Sequence, residues 1–174
     1  IPLGTDPTVF QPNPESIEIR EPLGLGNQDY LLLFVGRMAR EKNIRALVNM
    51  MGILHEIDPK TRYHLLLVGD GELHHFVNKA VKHHRNISWF PYCESTDWLC
   101  ACYTAADLYV HAGKNETFGI TSLEAQACGT RVLAIENGGL DDSLAGENPA
   151  IFAKSTSPRD LANAVKQIRY LTQD

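Results

Sequence analysis

No stretch of this chain approaches the roughly 20 consecutive apolar residues that a membrane span requires. The longest run, LLLFVG at 31–36, has the length of a strand. No basic block appears either: 16 Lys and Arg stand against 21 Asp and Glu, a net charge of −5, which argues against a nucleic-acid surface as the main partner. Cysteine is scarce. Cys93, Cys100, Cys102 and Cys128 include a C-x-C but no paired C-x2-C units, so a zinc framework is not indicated and reduced, half-buried thiols are expected. The histidine pairs 74–75 and 83–84 lack the i, i+4 spacing of a two-ligand helix site and read as a solvated helix face. Neither a Walker loop nor a G-x-G-x-x-G fingerprint is present. No internal repeat appears, and no signal peptide is visible. The chain opens at Ile1 rather than at Met, so that last absence says nothing about a parent protein.

What remains is a globular profile, 44% hydrophobic and 21% charged over 174 residues, enough for one domain with a real core. Residues 1–29, punctuated by five prolines, read as loop or linker, with IPLG extended. Buried strands follow at 30–36, 63–69, 86–90, 107–112, 130–135 and 150–153. Between them the helical period of Ile44, Leu47, Val48, Met51, Leu54 and Ile57 predicts a helix over 43–57, stopped by Asp58-Pro59. Further helices are expected over about 72–85, from a Ser95 cap to Ala105, across 119–128, near 139–145, and from Ser157-Pro158 to Leu171. Strand and helix alternating some six times means a parallel sheet covered by helices on both faces. In such sheets ligands sit beyond the carboxyl ends of the strands, where the strand order reverses. The loops after strands are therefore the informative ones.

GRMAREKN (36–43) places Gly36 directly after a buried strand, where a glycine lets the backbone approach a ligand. Arg37 then offers a planar fork of donors for a phosphate, and Lys42 a compact charge. The plainer alternative is a surface loop with Arg40 and Glu41 paired in solvent. GDGE (69–72) reads as a tight strand-to-helix turn. GKNETFGI (113–120) opens a helix whose free N–H groups suit anions and sugar hydroxyls. Glu116 stands just before that helix; an ordinary dipole charge is the alternative there. Within the helix Ile120, Leu123, Ala127 and Cys128 form one apolar stripe, and Glu124 falls inside it. Burying an unpaired carboxylate costs several kcal/mol, roughly. Glu124 is thus either a cleft residue facing the same ligand as Glu116, or a charge on a helix bent enough to expose it.

In this order and spacing, IPLGTDPTVF, GRMAREKN, GDGE, ETFGITSLE and EAQACGTRVLA resemble the C-terminal domain of a GT-B glycosyltransferase, with the best match in family 4, the retaining glycosyl transferases group 1 set. The likeness spans about residues 1–172, and Glu116 and Glu124 meet its E-x(7)-E pattern. It implies a Rossmann-like three-layer α/β domain, one half of a GT-B fold, over 30–174, with 1–29 a linker from an absent N-terminal domain. By resemblance, Arg37 and Lys42 hold the diphosphate of a nucleotide-sugar donor and stabilise it as leaving group. Glu116 lies against the donor sugar. The N–H groups of Phe118, Gly119 and Ile120 meet sugar and phosphate oxygens, Glu124 takes the ribose hydroxyls, and the loop around Phe90–Tyr92 borders the base. His111, at the end of strand four, leaves a sugar contact and a structural hydrogen bond both open.

Such enzymes generally work without a bound metal, and no D-x-D occurs here. The implied donor is a GDP- or UDP-hexose. The acceptor, a saccharide or a lipid, belongs to the absent N-terminal domain, so the chain by itself is expected to be inactive. The resemblance suggests a cytoplasmic parent, with peripheral membrane contact as a further expectation. Two details depart from the family: Arg131 stands where GTPV is usual, its head expected in solvent, and Asp141-Asp142 replaces the usual proline-glutamate after ENGGL. The rival readings are a sugar-nucleotide epimerase or phosphorylase-like GT-B domain, and a non-catalytic flavodoxin-like binding module.

Overall fold

The computed structural model describes residues 5–93, 95–114, 119–136 and 150–171. Six strands form one sheet: β1 (Tyr30–Val35), β2 (Tyr63–Val68), β3 (Ile87–Phe90), β4 (Leu108–Val110), β5 (Val132–Ile135) and β6 (Ile151–Ala153). The helices are α1 (Ile17–Arg20), α2 (Ile44–Ile57), α3 (His74–His83), α4 (Thr96–Ala105), α5 (Ile120–Ala127) and α6 (Pro158–Leu171). Every strand pair is parallel, in the order β3-β2-β1-β4-β5-β6. The order reverses between β1 and β4, which opens a crevice at their carboxyl ends.

The period-2 alternation of the strands sorts the core into two layers. Leu32, Phe34, Leu65, Leu67, Val110 and Ile135 point to the face covered by α2, α3 and α6. Leu31, Leu33, Leu66, Val68, Tyr109 and Ala134 point to the face covered by α1, α4 and α5. The central strands are apolar along their whole length because both faces are covered. Each fully buried leucine among them contributes roughly 1.5–3 kcal/mol. The helix starts follow their caps. Ser95 Oγ accepts from the Trp98 N–H at 3.1 Å, and Ser157 Oγ from the Asp160 N–H at 3.1 Å, with Pro158 at the first helical position of α6.

Three sequence expectations change. The segment before β1 is not loop throughout: a 3-10 turn over Pro14–Ser16 leads into α1. Pro14 opens that turn, where a missing N–H costs nothing, and Asn13 Oδ1 caps it through the Glu15 N–H at 2.9 Å. Ile19 then packs into the core beneath α4. The cysteines are free, but Cys100, Cys102 and Cys128 are buried rather than half-buried, with only Cys93 intermediate. Cys100 of α4 and Cys128 at the end of α5 lie against each other, small thiols that suit a close helix contact. The third change is the facing of α5, which leaves Ile120 outward. The helix expected near 139–145, the Asp141-Asp142 pair and the extended IPLG lie outside the described residues. Arg131 is exposed, on the rim of a polar cavity of about 340 Å³ at the amino ends of the strands. No helix among the described residues is long and apolar enough to cross a membrane.

Candidate functional site

The loops at the carboxyl ends of β1, β2 and β4 are packed backbone to backbone. Gly69 (φ +120°) lies so close to the end of β1 that a Cβ there would fall 2.1 Å from the Gly36 carbonyl oxygen. Gly113, after β4, meets the Glu41 carbonyl in the same way, at 2.7 Å. Glycine is required at both because nothing larger fits between main chains. These contacts make the loop after β1 a rigid shelf along the crevice.

Met38 and Ala39 anchor that loop with 0% and 3% exposure, which turns Arg37, Arg40 and Glu41 outward. Arg37 pairs with Glu41 at 2.5 Å. Arg40 instead turns to Glu72 of the GDGE turn, whose Oε1 accepts the Arg40 backbone N–H at 3.1 Å. The Arg40–Glu41 pair of the plainer alternative is thus replaced by two others, because the 3-10 turn over Arg40–Lys42 puts Glu41 back toward Arg37. Both partners of the Arg37–Glu41 pair are more than half exposed, so it is screened and worth little to stability. An anionic ligand can take Arg37 at small cost. The Glu41 carboxyl is held below the usual range by its own backbone N–H, with the nearby Arg37 and Lys42 charges adding to this. Lys42, half-buried, ends the turn. Asn43 follows in the left-handed region (φ 57°), and its Nδ2 donates to the carbonyls of Thr156 (2.9 Å) and Ala112 (3.3 Å). That one amide ties the Lys42 loop to the segments after β4 and β6.

Across the crevice β4 ends in His111, whose N–H bonds to Leu133 at 2.8 Å and whose ring is buried. Gly119 (φ 54°) is the N-cap residue of α5, and having no side chain it offers the first-turn N–H groups no acceptor of its own. Ser122 is its first residue whose N–H finds a carbonyl among the described residues, that of Gly119 at 2.8 Å. The first turn therefore presents donors and the positive end of the helix dipole to the crevice. α5 is not turned as its apolar stripe predicts. Ile120 is 52% exposed, while Ser122 and Ala125 are fully buried. Small side chains let the helix sit close on the sheet. Glu124 is half-buried and accepts a 2.7 Å hydrogen bond from the hydroxyl of Tyr103, in α4. Burial pushes the Glu124 carboxyl up, and the Tyr103 bond opposes that rise. Thr121, one turn earlier, shares a 2.8 Å hydrogen bond with the hydroxyl of Tyr109, which also donates to the Val35 carbonyl at 3.0 Å.

Gly36, Arg37, Lys42, His111, Gly119, Ile120 and Glu124 thus all stand at the carboxyl ends of β1 and β4 or on the helix that follows. Tyr92 does not join them. It follows β3 at the sheet edge, two strands or about 10 Å away, and is 76% exposed. Phe90 beside it packs edge-on to Trp98, ring centroids 5.4 Å apart. Glu116 and Phe118 lie outside the described residues. Sequence reasoning does not single out Asn43, Tyr103, Tyr109 and Thr121 as parts of this region. Asn43 carries a signal as a helix-start residue, whereas the tyrosines read simply as core aromatics. Among the described residues no three His, Cys, Asp or Glu side chains gather as metal ligands.

Comparison with known proteins gives a consistent picture. The family described as glycosyl transferases group 1 matches residues 15–170. A D-inositol 3-phosphate glycosyltransferase of Paenarthrobacter aurescens (strain TC1) is 31% identical over an alignment of 177 positions that covers 96% of this chain and 42% of that protein. The sucrose-phosphate synthase of Thermosynechococcus elongatus superposes with a TM-score of 0.80 at 29% identity, covering 98% of this chain and 43% of that one. The C-terminal domain of the group 1 protein LpcC from Francisella tularensis superposes at 0.76, with 18% identity and coverage of 98% and 90%. The chain spans about two fifths of the length of the full-length relatives it matches.

Proposed function

The chain belongs to the glycosyl transferases group 1 family, and on that footing we propose that it is the nucleotide-sugar donor domain of a retaining family 4 hexosyltransferase. One observation carries this reading. A cationic loop after β1 and the glycine-capped start of α5 both stand at the carboxyl ends of β1 and β4, where the strand order reverses. Arg37 and Lys42 take the diphosphate. The first-turn N–H groups of α5 take phosphate and sugar oxygens, Glu116 the donor sugar, and Glu124 the ribose. Departure of a nucleoside diphosphate builds negative charge on the phosphate, and preorganised cations and a helix N-terminus stabilise that charge without a bound metal. In the retaining course the acceptor attacks from the leaving-group side and a donor phosphate oxygen receives its proton. The acceptor, a saccharide or lipid, is held by an N-terminal domain to which residues 1–29 lead. The parent is cytoplasmic.

Titration with UDP, GDP and ADP by calorimetry tests the reading. UDP is the first choice of probe because HepE of Anabaena, a 22% identical fold neighbour, is seen with it. A diphosphate that binds at least tenfold more tightly than its monophosphate is the expected result. Lys42→Ala removes that preference and spares the nucleoside, while Glu124→Gln weakens the nucleoside and spares pyrophosphate. No response to any of the three nucleotides refutes donor binding. Glycosyl transfer by this chain alone refutes the need for an acceptor domain.

A further inference from the structure

Helix α5 is held against its own hydrophobic pattern. Burial alone would turn Ile120 inward, yet Ile120 is half exposed and Ser122 is fully covered. The restraint comes from two tyrosines outside the helix, the largest fully buried side chains among the described residues. Tyr109 reaches Thr121 from β4, and Tyr103 reaches Glu124 from α4, 21 residues earlier in the chain. Their ring centroids lie 5.9 Å apart at an interplanar angle of 58°, so neither hydroxyl moves unless the core repacks. Tyr103 is pinned again by Thr130, whose Oγ1 donates to the Tyr103 carbonyl.

We propose that Tyr103 is a positioning residue for nucleotide binding: its hydroxyl engages one oxygen of Glu124 and leaves the other for the ribose hydroxyls. This rests on the assignment of Glu124 to the ribose. A carboxylate has acceptor capacity for both partners at once, and among the described residues Tyr103 is its one hydrogen-bond partner. The bond does two things. It selects one rotamer of a side chain that burial alone does not hold, and it opposes the desolvation that favours the protonated acid. A protonated Glu124 would offer one acceptor fewer to a ribose diol. The titratable groups around it among the described residues are Tyr103 and Tyr109, Cys128 at the end of α5, and Cys100 behind Cys128. Burial pushes Tyr103 far up and Cys128 up to about 12, so these two stay neutral through pH 5–8.

The test is Tyr103→Phe, which keeps the ring and its packing. The probe is whichever of UDP, GDP and ADP the unaltered chain binds most tightly, with its nucleoside and inorganic pyrophosphate alongside. Nucleotide affinity should fall about tenfold, as for a lost charge-assisted hydrogen bond partly replaced by water, with pyrophosphate affinity unchanged. In a Glu124→Gln background the same substitution should cost nothing further. Nucleoside binding, free of phosphate titration, should be lost on acidification at a higher pH than in the unaltered chain, because the Tyr103 bond that opposes protonation is gone. A 3-fluorotyrosine at position 103, a stronger donor of the same shape, should move that midpoint the other way, and it keeps the test open if Tyr103→Phe does not fold. The proposal fails if Tyr103→Phe leaves nucleotide affinity intact while Glu124→Gln weakens it. It fails equally if the loss persists in the Gln background or extends to pyrophosphate, since the role would then be structural. If Glu124→Gln alone has no effect on nucleotide, the ribose assignment falls and this inference falls with it.

Discussion

Gly69 and Gly52 allow the same chemical change to be made with opposite expected signs. In Gly69→Ala the new methyl would sit 2.1 Å from the Gly36 carbonyl oxygen, a main-chain atom that cannot rotate away, at a φ of +120°. Left-handed backbone costs a non-glycine residue roughly 1–2 kcal/mol, and forced overpacking typically another 1–3 kcal/mol, roughly. A loss of about 3 kcal/mol is a reasonable centre. For a chain of this length the unfolding entropy is about 0.37 kcal/mol/K, so the melting temperature should fall by about 8 °C. Gly52 lies in α2, exposed, with nothing within 4 Å of the place a methyl would take. There alanine removes the helix penalty of glycine and should add about 0.8–1 kcal/mol, or roughly 2–3 °C. Thermal unfolding followed by circular dichroism reads both. A Gly69→Ala protein melting within about 2 °C of the parent would show that the close approach at the ends of β1 and β2 does not constrain position 69, and a Gly52→Ala protein melting below the parent would refute the helix-propensity argument for α2.

Three further outcomes are expected. Burial pushes the imidazole of His64, in β2 and 2.9 Å from Ser88 Oγ, down to about 4. The folded state therefore binds this proton less readily than the unfolded chain, so its penalty is absent above pH 6.5 and grows as pH falls toward 4. Stability should drop by about 3 kcal/mol across that window in denaturant titrations, and His64→Phe should flatten the dependence; an equal slope in the variant would assign it to other groups. Arg37→Ala should leave stability within about 1 kcal/mol, because its ion pair is exposed, yet weaken UDP or GDP about tenfold by calorimetry; the reverse pattern would mark Arg37 as structural. Ser157→Ala should cost about 1 kcal/mol through the lost α6 cap, seen as a fall of roughly 2–3 °C, whereas Ser157→Asp should preserve the melting point.

Much of this domain is legible in its amino-acid order. YLLLFV and YHLLLV can only be strands buried on both faces, and the helical segments between them make the sheet parallel. Parallel connectivity in turn sends the informative loops to one end. The local signals of Ser95, Ser157 and Pro158 act within a few residues, which is why those helix starts match the structure closely. The helical turns over 14–20 stay hidden because prolines announce a break without saying whether a turn of helix follows.

Amino-acid order alone sets the alternation, the layers and which loops line the crevice, because apolar periodicity and capping are short-range and repeat along the chain. It placed Glu124 on α5 but not the way that helix turns. That was decided by tertiary structure: a tyrosine 21 positions earlier reaches the carboxylate, and a second reaches Thr121. Asn43 acts likewise on the facing loop, where one amide joins segments 69 and 113 residues apart. A hydrogen bond between side chains distant in sequence leaves no periodic trace. In a half-buried crevice such a bond outweighs the few apolar contacts that periodicity counts.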